Sequence, residues 1–196
     1  SSKYKYYRDM KKTVRFISAA LLAALSISCE KDKAYDGPAD ENNIDYTGLV
    51  LNELNGNDKF IELYNGASEA IDITGIQINK DDNGIVWTAP SRTIKAGEYL
   101  LLYSEDVVIA GEAQEGYDKT LVFGSGLSSK KAVHITLFKP DGSTVVDDFN
   151  LVNHPTPGEK IKGSYGRNKD GKWYIQPEAT PGKANVDGTE ALKLGE

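Results

Sequence analysis

The sequence predicts an all-β domain, an antiparallel sandwich or barrel, and three observations support that prediction. From residue 49 to about residue 175, the apolar residues occur in short runs that turn signals separate. No stretch after residue 28 has the 3.6-residue periodicity of an amphipathic helix. Dipeptides typical of tight hairpin turns, Asn83-Gly84 and Asp170-Gly171, each stand between two strand-like runs.

The predicted strands follow one another at short intervals. They are LVLNEL (49–54), KFIELYN (59–65), IDITGIQI (71–78), EYLLLY (98–103), AVHITLF (132–138), STVVDDF (143–149) and KWYI (172–175). Gly75 interrupts the alternation of isoleucines in the third run, so we expect a bulge or bend there. In the second run Ile61 and Leu63 are expected to face the core. Glu62 and Tyr64 then face the opposite way.

Residues 1–28 are predicted to be a targeting sequence rather than part of the folded domain. Residues 1–9 precede Met10, and we assign them no role. A basic stretch then leads into the apolar run FISAALLAALSI (16–27). As a helix these residues span about 18 Å, which is well short of the roughly 30 Å hydrocarbon core of a bilayer. A basic segment followed by a short apolar one is typical of a secretory signal.

The end of this signal, LSISC, resembles the lipobox of bacterial lipoproteins. In such proteins the Cys is acylated and becomes the mature N-terminus, so Cys29 is the predicted lipidation site. Cys29 is also the only Cys in the sequence, although Ser26 stands where the pattern usually has Leu. The alternative is an ordinary secretory signal with a Cys nearby by chance.

The predicted domain, residues 47–186, lies between two flexible segments. Cys29 and a tether make up residues 29–46, which are rich in charge, Gly, Pro and Asn and lack periodicity. The early acids Glu30 and Asp32 resemble the export signals of surface lipoproteins, so we expect a lipid-anchored protein on the outer face of the outer membrane. Residues 187–196 have little apolar anchoring and are predicted to form a flexible tail.

Charge and composition exclude several classes of function. The chain has 23 Lys and Arg against 29 Asp and Glu; residues 1–28 hold six of those bases and one of those acids, so the remainder carries a net charge of −11. A nucleic-acid-binding protein needs a basic surface, so no nucleic-acid partner is expected. One Cys and two His leave no material for a thiolate zinc site, and neither metal nor cofactor is expected.

Five segments, taken in order, resemble the lamin-tail domain, an immunoglobulin-like β-sandwich found in nuclear lamins and in many secreted bacterial proteins. They are LVLNELN (49–55), FIELYNGASEAIDITGIQI (60–78), WTAPSRTIKAGEYLLLY (87–103), GLSSKKAVHITLFKPDGSTVVDDF (126–149) and SYGRNKDGKWYIQPEATPGKAN (164–185). The resemblance implies an immunoglobulin-like antiparallel β-sandwich with an adhesive or scaffolding role.

Three polar residues, Glu53, Glu62 and Arg167, belong to these motifs, and we expect them to be structural. Arg167 is expected to bridge to one of the two glutamates and thereby fix the last strand against the first sheet. The competing interpretation of the glutamates is a substrate-binding carboxylate pair.

The aromatic residues of the same motifs are expected to have a structural role as well. We expect the rings of Trp87, Tyr99, Tyr165 and Trp173 to fill the core.

No arrangement of residues indicates catalysis, so the protein is not expected to be an enzyme. Residues 79–84 mimic the start of a calcium-binding EF-hand loop, but Pro90 occupies the position of its last ligand, so a hairpin tip is predicted. Adjacent strand residues point to opposite faces, so of Asp147 and Asp148 one is expected to be partly buried and the other solvated. His134 is expected on an outward face and His154 in a loop without a metal-binding partner.

The predicted binding surface lies in a loop rich in Gly and acids, residues 112–126. Tyr117 and Phe123 are its candidate partner- or ligand-binding residues, and residues 150–162 are expected to complete the patch. An alternative for Phe123 is that its ring closes the end of the sandwich.

Two functions remain as expectations. The first is a non-enzymatic, lipid-anchored interaction or scaffolding module. In one concrete form, this module is an accessory subunit of a starch-utilisation-type nutrient importer and binds its outer-membrane transporter. The alternative is a surface lipoprotein that binds glycans or peptides through exposed aromatic rings. A small hydrolase is the third and weakest candidate, because no catalytic constellation is present.

Overall fold

A computed structural model describes residues 43–81 and 83–195, and nearly all their regular structure is β-strand. The strands are β1 (Leu49–Asn55), β2 (Phe60–Asn65), β3 (Ile71–Asp72), β4 (Gln77–Lys80), β5 (Ile85–Thr88), β6 (Thr93–Ile94), β7 (Tyr99–Ser104), β8 (Val122–Phe123), β9 (Val133–Phe138), β10 (Val145–Leu151), β11 (Ser164–Arg167), β12 (Trp173–Gln176) and β13 (Glu190–Ala191). One short helix, α1 (Glu105–Ile109), and one 3-10 turn (Lys119–Leu121) lie between β7 and β8.

The strands form two main sheets that pack face to face, as the sequence predicts. The larger sheet has the order β13-β12-β11-β1-β2-β7-β8, the smaller one β10-β9-β4-β5, and β3 and β6 form a separate pair. All pairings are antiparallel except that of β7 with β8. The prediction of an immunoglobulin-like antiparallel β-sandwich is confirmed.

The core lies between the two sheets and follows the two-residue period of the strands. Leu51, Leu63 and Leu102 of the larger sheet and Ile135 and Phe149 of the smaller one are essentially inaccessible to solvent. Each completely buried side chain of this size stabilises the fold by about 1.5–3 kcal/mol.

The aromatic residues of the motifs divide between the core and the outer face. Trp87, Tyr165 and Trp173 are buried, as predicted. The prediction is wrong for Tyr99, which lies on the outer face of β7 and stacks on Tyr64 of β2, with ring centroids 4.7 Å apart.

A β-bulge in β1 sets which residues face outward. Leu51 pairs with Leu63, but Glu53, two residues later, pairs with Glu62. Asn52 is therefore the extra residue, and it shifts the alternation by one. Glu53 consequently lies on the outer face beside Glu62 instead of pointing into the core.

Both predicted domain limits need correction. Tyr46 is buried and Ile44 packs against the core, so the domain begins before residue 47. The predicted flexible tail contains β13, which pairs with β12, while Leu192 and Leu194 pack against the core. Backbone hydrogen bonds add to these apolar contacts in ordering the segment: the amide of Gly195 donates to the carbonyl of Asn150 over 2.8 Å.

The predicted signal peptide, Cys29 and the tether up to residue 42 lie outside the described residues. Within the described part of the chain, no helix has the length and apolar character needed to cross a membrane.

Candidate functional site

An open cleft of about 630 Å³ lies where β7 ends and α1 begins, and we call it the β7–α1 cleft. Leu101 and Tyr103 line it from the outer face of β7, because their neighbours Leu100 and Leu102 point into the core. Ser104 then ends the strand: its hydroxyl accepts a hydrogen bond from the amide of Asp106 and caps α1. The outward side chains of β7 therefore lie next to the N-terminus of α1.

The remaining lining of the β7–α1 cleft combines apolar side chains with polar and acidic ones. Val107 and Val108 contribute from α1, and Tyr117 contributes from the loop that follows the helix. Tyr103 is 40% exposed, and Ile109, next to Val108, is 78% exposed. Contiguous exposed apolar side chains rimmed by polar groups are typical of interaction sites.

The structure divides the two aromatic residues predicted to form a binding patch. Tyr117 is half-buried and lines the β7–α1 cleft. Phe123 is completely buried in β8, where it pairs with Ser104 of β7. The prediction of Phe123 as a binding residue is therefore wrong, and the alternative, a ring that closes the sandwich, is what the structure shows.

Residues 150–162 do not line this cleft, so their predicted part in the patch is also wrong. Leu151, His154 and Ile161 anchor the segment by being buried. His154 lies 3.1 Å from the carbonyl oxygen of Ser129, and the amide of Ile161 donates to the same oxygen. The segment is thus bound to the backbone of Ser129.

Sequence reasoning missed Leu101 and Tyr103, although the strand that carries them held a signal. In YLLLY every residue is large and apolar or aromatic, so both faces of β7 are apolar. A strand with one solvated face normally alternates apolar and polar residues. The absence of that alternation indicates that the outer face of β7 is a contact surface rather than a fully solvated one.

The two glutamates of the motifs form a buried cluster on the same outer face. A segment of residues 180–185, the cover segment, lies over them, and both side chains are 0% exposed. The carboxylate of Glu53 accepts hydrogen bonds from the amide (3.0 Å) and the hydroxyl (2.8 Å) of Thr180. That of Glu62 accepts from the amide of Gly182 (2.6 Å) and the side-chain amide of Asn52 (2.8 Å).

Burial makes Glu62 a strongly perturbed acid. The pKa of Glu62 is raised from the ordinary value of 4.5 to about 7: loss of solvation is the main cause and the nearby charge of Glu53 adds to it, while the hydrogen bonds from Gly182 and Asn52 act in the opposite direction. All four carboxylate oxygens of the pair accept protein donors: Thr180 and Gly182 of the cover segment donate to three of them, and Asn52 of β1 donates to the fourth. The pair therefore has a structural role, because it fixes the cover segment to the sheet and its oxygens are already bonded within the protein.

Arg167 bridges to a different carboxylate from the one predicted. Its guanidinium donates to both oxygens of Asp147, over 2.6 and 2.5 Å, and to the carbonyl of Leu51 over 2.6 Å. The predicted contact with Glu53 or Glu62 is therefore wrong, because Arg167 points toward the smaller sheet and the glutamates point away from it. Its ion pair joins β11 to β10 and so links the two sheets.

His134, Thr136 and Asp148 lie together on the outer face of the smaller sheet; Asp148 is exposed and Asp147 is half-buried, so the two acids differ in burial as expected. The arrangement superficially resembles a catalytic triad. However, Asp148 (2.7 Å) and Thr136 (3.2 Å) both meet the same ring nitrogen, Nε2 of His134. A triad base needs its nucleophile and its orienting acid on opposite nitrogens. The cluster is a cross-strand polar contact.

The EF-hand-like segment is the tip of the β4–β5 hairpin, which confirms the prediction; residue 82 lies outside the described residues. The side chain of Asp81 accepts from the amide of His134 and contacts Lys80. In the described ranges, no three His, Cys, Asp or Glu side chains converge as metal ligands would.

Comparison with known proteins supports the fold and names its family. A family model described as Lamin Tail Domain matches residues 39–152. The match begins before β1 and ends just after β10, whereas the sheet continues to β13. No curated protein matches the chain. Lamin-tail domains are immunoglobulin-like and non-catalytic, and this chain belongs to the lamin-tail-domain family.

Proposed function

We propose that this protein is a non-enzymatic interaction module that binds a protein partner through the β7–α1 cleft. The observation that supports this proposal is the apolar surface of Leu101, Tyr103, Val108 and Tyr117, which the described residues leave open to solvent. Covering such a surface with a partner removes apolar area from water, which is favourable by about 25 cal/mol per Å². Loops and short helices on a rigid sandwich are also where recognition residues usually lie.

The polar clusters support a binding role over an enzymatic one. The glutamate pair is enclosed by its own hydrogen-bond donors under the cover segment. Asp148 and Thr136 meet the same ring nitrogen of His134, whereas a relay through a histidine ring places its acid and its nucleophile on opposite nitrogens. Neither cluster lines the β7–α1 cleft.

We further propose that a lipid on Cys29 anchors the module to the outer membrane, facing the cell surface. The basis is the sequence alone: a short apolar run that ends at the only Cys, followed by an acidic tether. Labelling with an alkyne analogue of palmitate tests this step. Label is expected on the natural chain and absent from the Cys29→Ser variant, whereas equal labelling of both chains would contradict acylation at this residue.

In this proposal the partner is a protein of the same membrane, and an accessory subunit of a starch-utilisation-type nutrient importer is one concrete form. Its test is a pull-down from native membranes in mild detergent, with mass spectrometry of the recovered proteins. Val108→Lys places a positive charge in the β7–α1 cleft. Val145→Lys is the control, because Val145 is an exposed apolar residue that lies on β10, outside the cleft.

The natural chain and Val145→Lys are expected to recover the same partner, and Val108→Lys is expected to lose it. Tryptophan fluorescence checks that each variant is folded, since both Trp side chains are buried. Recovery of the same partner by folded Val108→Lys would overturn the proposal that the cleft is the binding surface.

A further inference from the structure

We infer that the partner of the β7–α1 cleft is basic and that the cleft receives the side chain of an arginine or lysine. This inference rests on the proposed function, because it names the chemistry of the partner that the cleft binds. Its basis is the combination of aromatic rings with carboxylates that lack basic partners.

The acids of the cleft outnumber its bases. Asp58, Glu112, Glu115 and Asp118 belong to the lining. Of these, Asp118 is paired with Arg92, with 2.6 Å between carboxylate and guanidinium. The other three are exposed, and no basic side chain within the described part of the chain lies within ion-pair distance of them.

The one basic residue in the lining does not neutralise these acids. The ammonium of Lys59 donates to the carbonyl oxygen of Leu127 over 2.5 Å and lies 3.5 Å from Asp106. Both partners border a separate, smaller cavity. The ammonium of Lys59 is therefore bound to groups outside the β7–α1 cleft, and the cleft has an excess of negative charge.

The apolar part of the cleft suits the same partner. Arginine and lysine carry an aliphatic stem that packs on apolar surface and a cationic head that stays at the rim. The rings of Tyr103 and Tyr117 both line the cleft, and a cation over an aromatic face is attracted by its quadrupole. A partner without positive charge would bury the rim near Glu112 and Glu115 without compensating their charge, which is unfavourable. An acidic partner would be repelled.

The test measures binding of two labelled octapeptides to the full chain in mild detergent by fluorescence anisotropy. One peptide alternates arginine and serine and the other alternates glutamate and serine, with maltohexaose as a neutral competitor. The arginine peptide is expected to bind, the glutamate peptide is not, and maltohexaose is expected not to compete.

Because the chain carries a net negative charge, a matched pair of variants separates cleft binding from general attraction. Glu112→Gln combined with Glu115→Gln is expected to weaken arginine-peptide binding at least about threefold. Glu178→Gln combined with Glu190→Gln removes the same charge from exposed positions outside the cleft and is expected to change affinity by less than about twofold. Equal weakening by both pairs, no binding of the arginine peptide, or displacement by maltohexaose would each overturn the inference.

Failure of this inference and failure of the proposed function give different results. If Val108→Lys loses the native partner while the arginine peptide does not bind, the cleft is the binding surface and its partner is not basic. If Val108→Lys keeps the native partner, the cleft itself is not the surface.

Discussion

Glu62 links the stability of the domain to pH. Its side chain is completely buried between the sheet and the cover segment, and its pKa is raised to about 7. The folded state therefore holds a proton on Glu62 over a pH range in which the unfolded chain, with a pKa near 4.5, has released it. Because folding takes up a proton, this stabilisation is complete below pH 4.5 and is lost as the pH rises through 7.

The size of the effect follows from the two pKa values. With pKa values of about 7 folded and 4.5 unfolded, the free energy of unfolding falls by about 2.5 kcal/mol between pH 5 and pH 8. In Glu62→Gln this dependence disappears, since glutamine does not titrate. The variant retains an oxygen that can accept from Gly182 or from Asn52, so the cover segment keeps part of its anchoring.

Urea unfolding followed by tryptophan fluorescence at several pH values between 5 and 8 measures this dependence. The difference in unfolding free energy between the natural chain and Glu62→Gln cancels the titration of other groups. As the pH rises from 5 to 8, the unfolding free energy of the natural chain is expected to fall by about 2.5 kcal/mol relative to that of Glu62→Gln. Glu178→Gln, an exposed carboxylate, is the control and is expected to run parallel to the natural chain. Parallel curves for Glu62→Gln as well would refute the reasoning.

Three further predictions use the same unfolding measurement. A Cβ at Gly163 (φ +81°) would lie 1.9 Å from a backbone oxygen, so Gly163→Ala is expected to lower the unfolding free energy by more than about 2 kcal/mol. The control is Gly171→Ala, at φ +78° in open space, which is expected to lower it by about 1 kcal/mol. Equal losses for the two variants would contradict the close approach at Gly163. Asp147→Asn is expected to cost about 2 kcal/mol because it breaks the link between the sheets, whereas Asp148→Asn is expected to cost less than about 1 kcal/mol; a larger cost for the second would contradict the assignment. Phe123→Ala is expected to cost about 3–5 kcal/mol, and a loss below about 1 kcal/mol would show that this ring is not in the core.

The sequence was sufficient for the longest strands, β1, β2, β7, β9 and β10, because their signals are local, whereas the two-residue strands β8 and β13 lie in segments predicted to be a loop and a tail. FIELYN places Ile61 and Leu63 in the core through the two-residue period alone, and both are completely buried. Gly75 breaks the alternation because it adopts φ +80° in a turn between β3 and β4. The family motifs then supply the arrangement of these strands, which local periodicity does not determine.

Contacts between distant segments were not predictable in the same way. Arg167 and Asp147 are twenty residues apart and belong to different sheets, so their pairing depends on how the sheets stack. The shift of one residue at Asn52 decides that Glu53 lies under the cover segment, and no turn signal marks it. Phe123 shares a loop-like segment with Tyr117, yet it lies in the two-residue strand β8. The parallel pairing of β8 with β7 places its ring in the core.

The most direct test of the account is site-specific photo-crosslinking in intact cells. A photoreactive amino acid replaces Tyr103 in the β7–α1 cleft or, as the matched exposed control, Val145 on β10. A discrete cross-linked product from position 103, absent at position 145, is the predicted result. No product at position 103, or the same product from both positions, would contradict the conclusion that this cleft binds the partner.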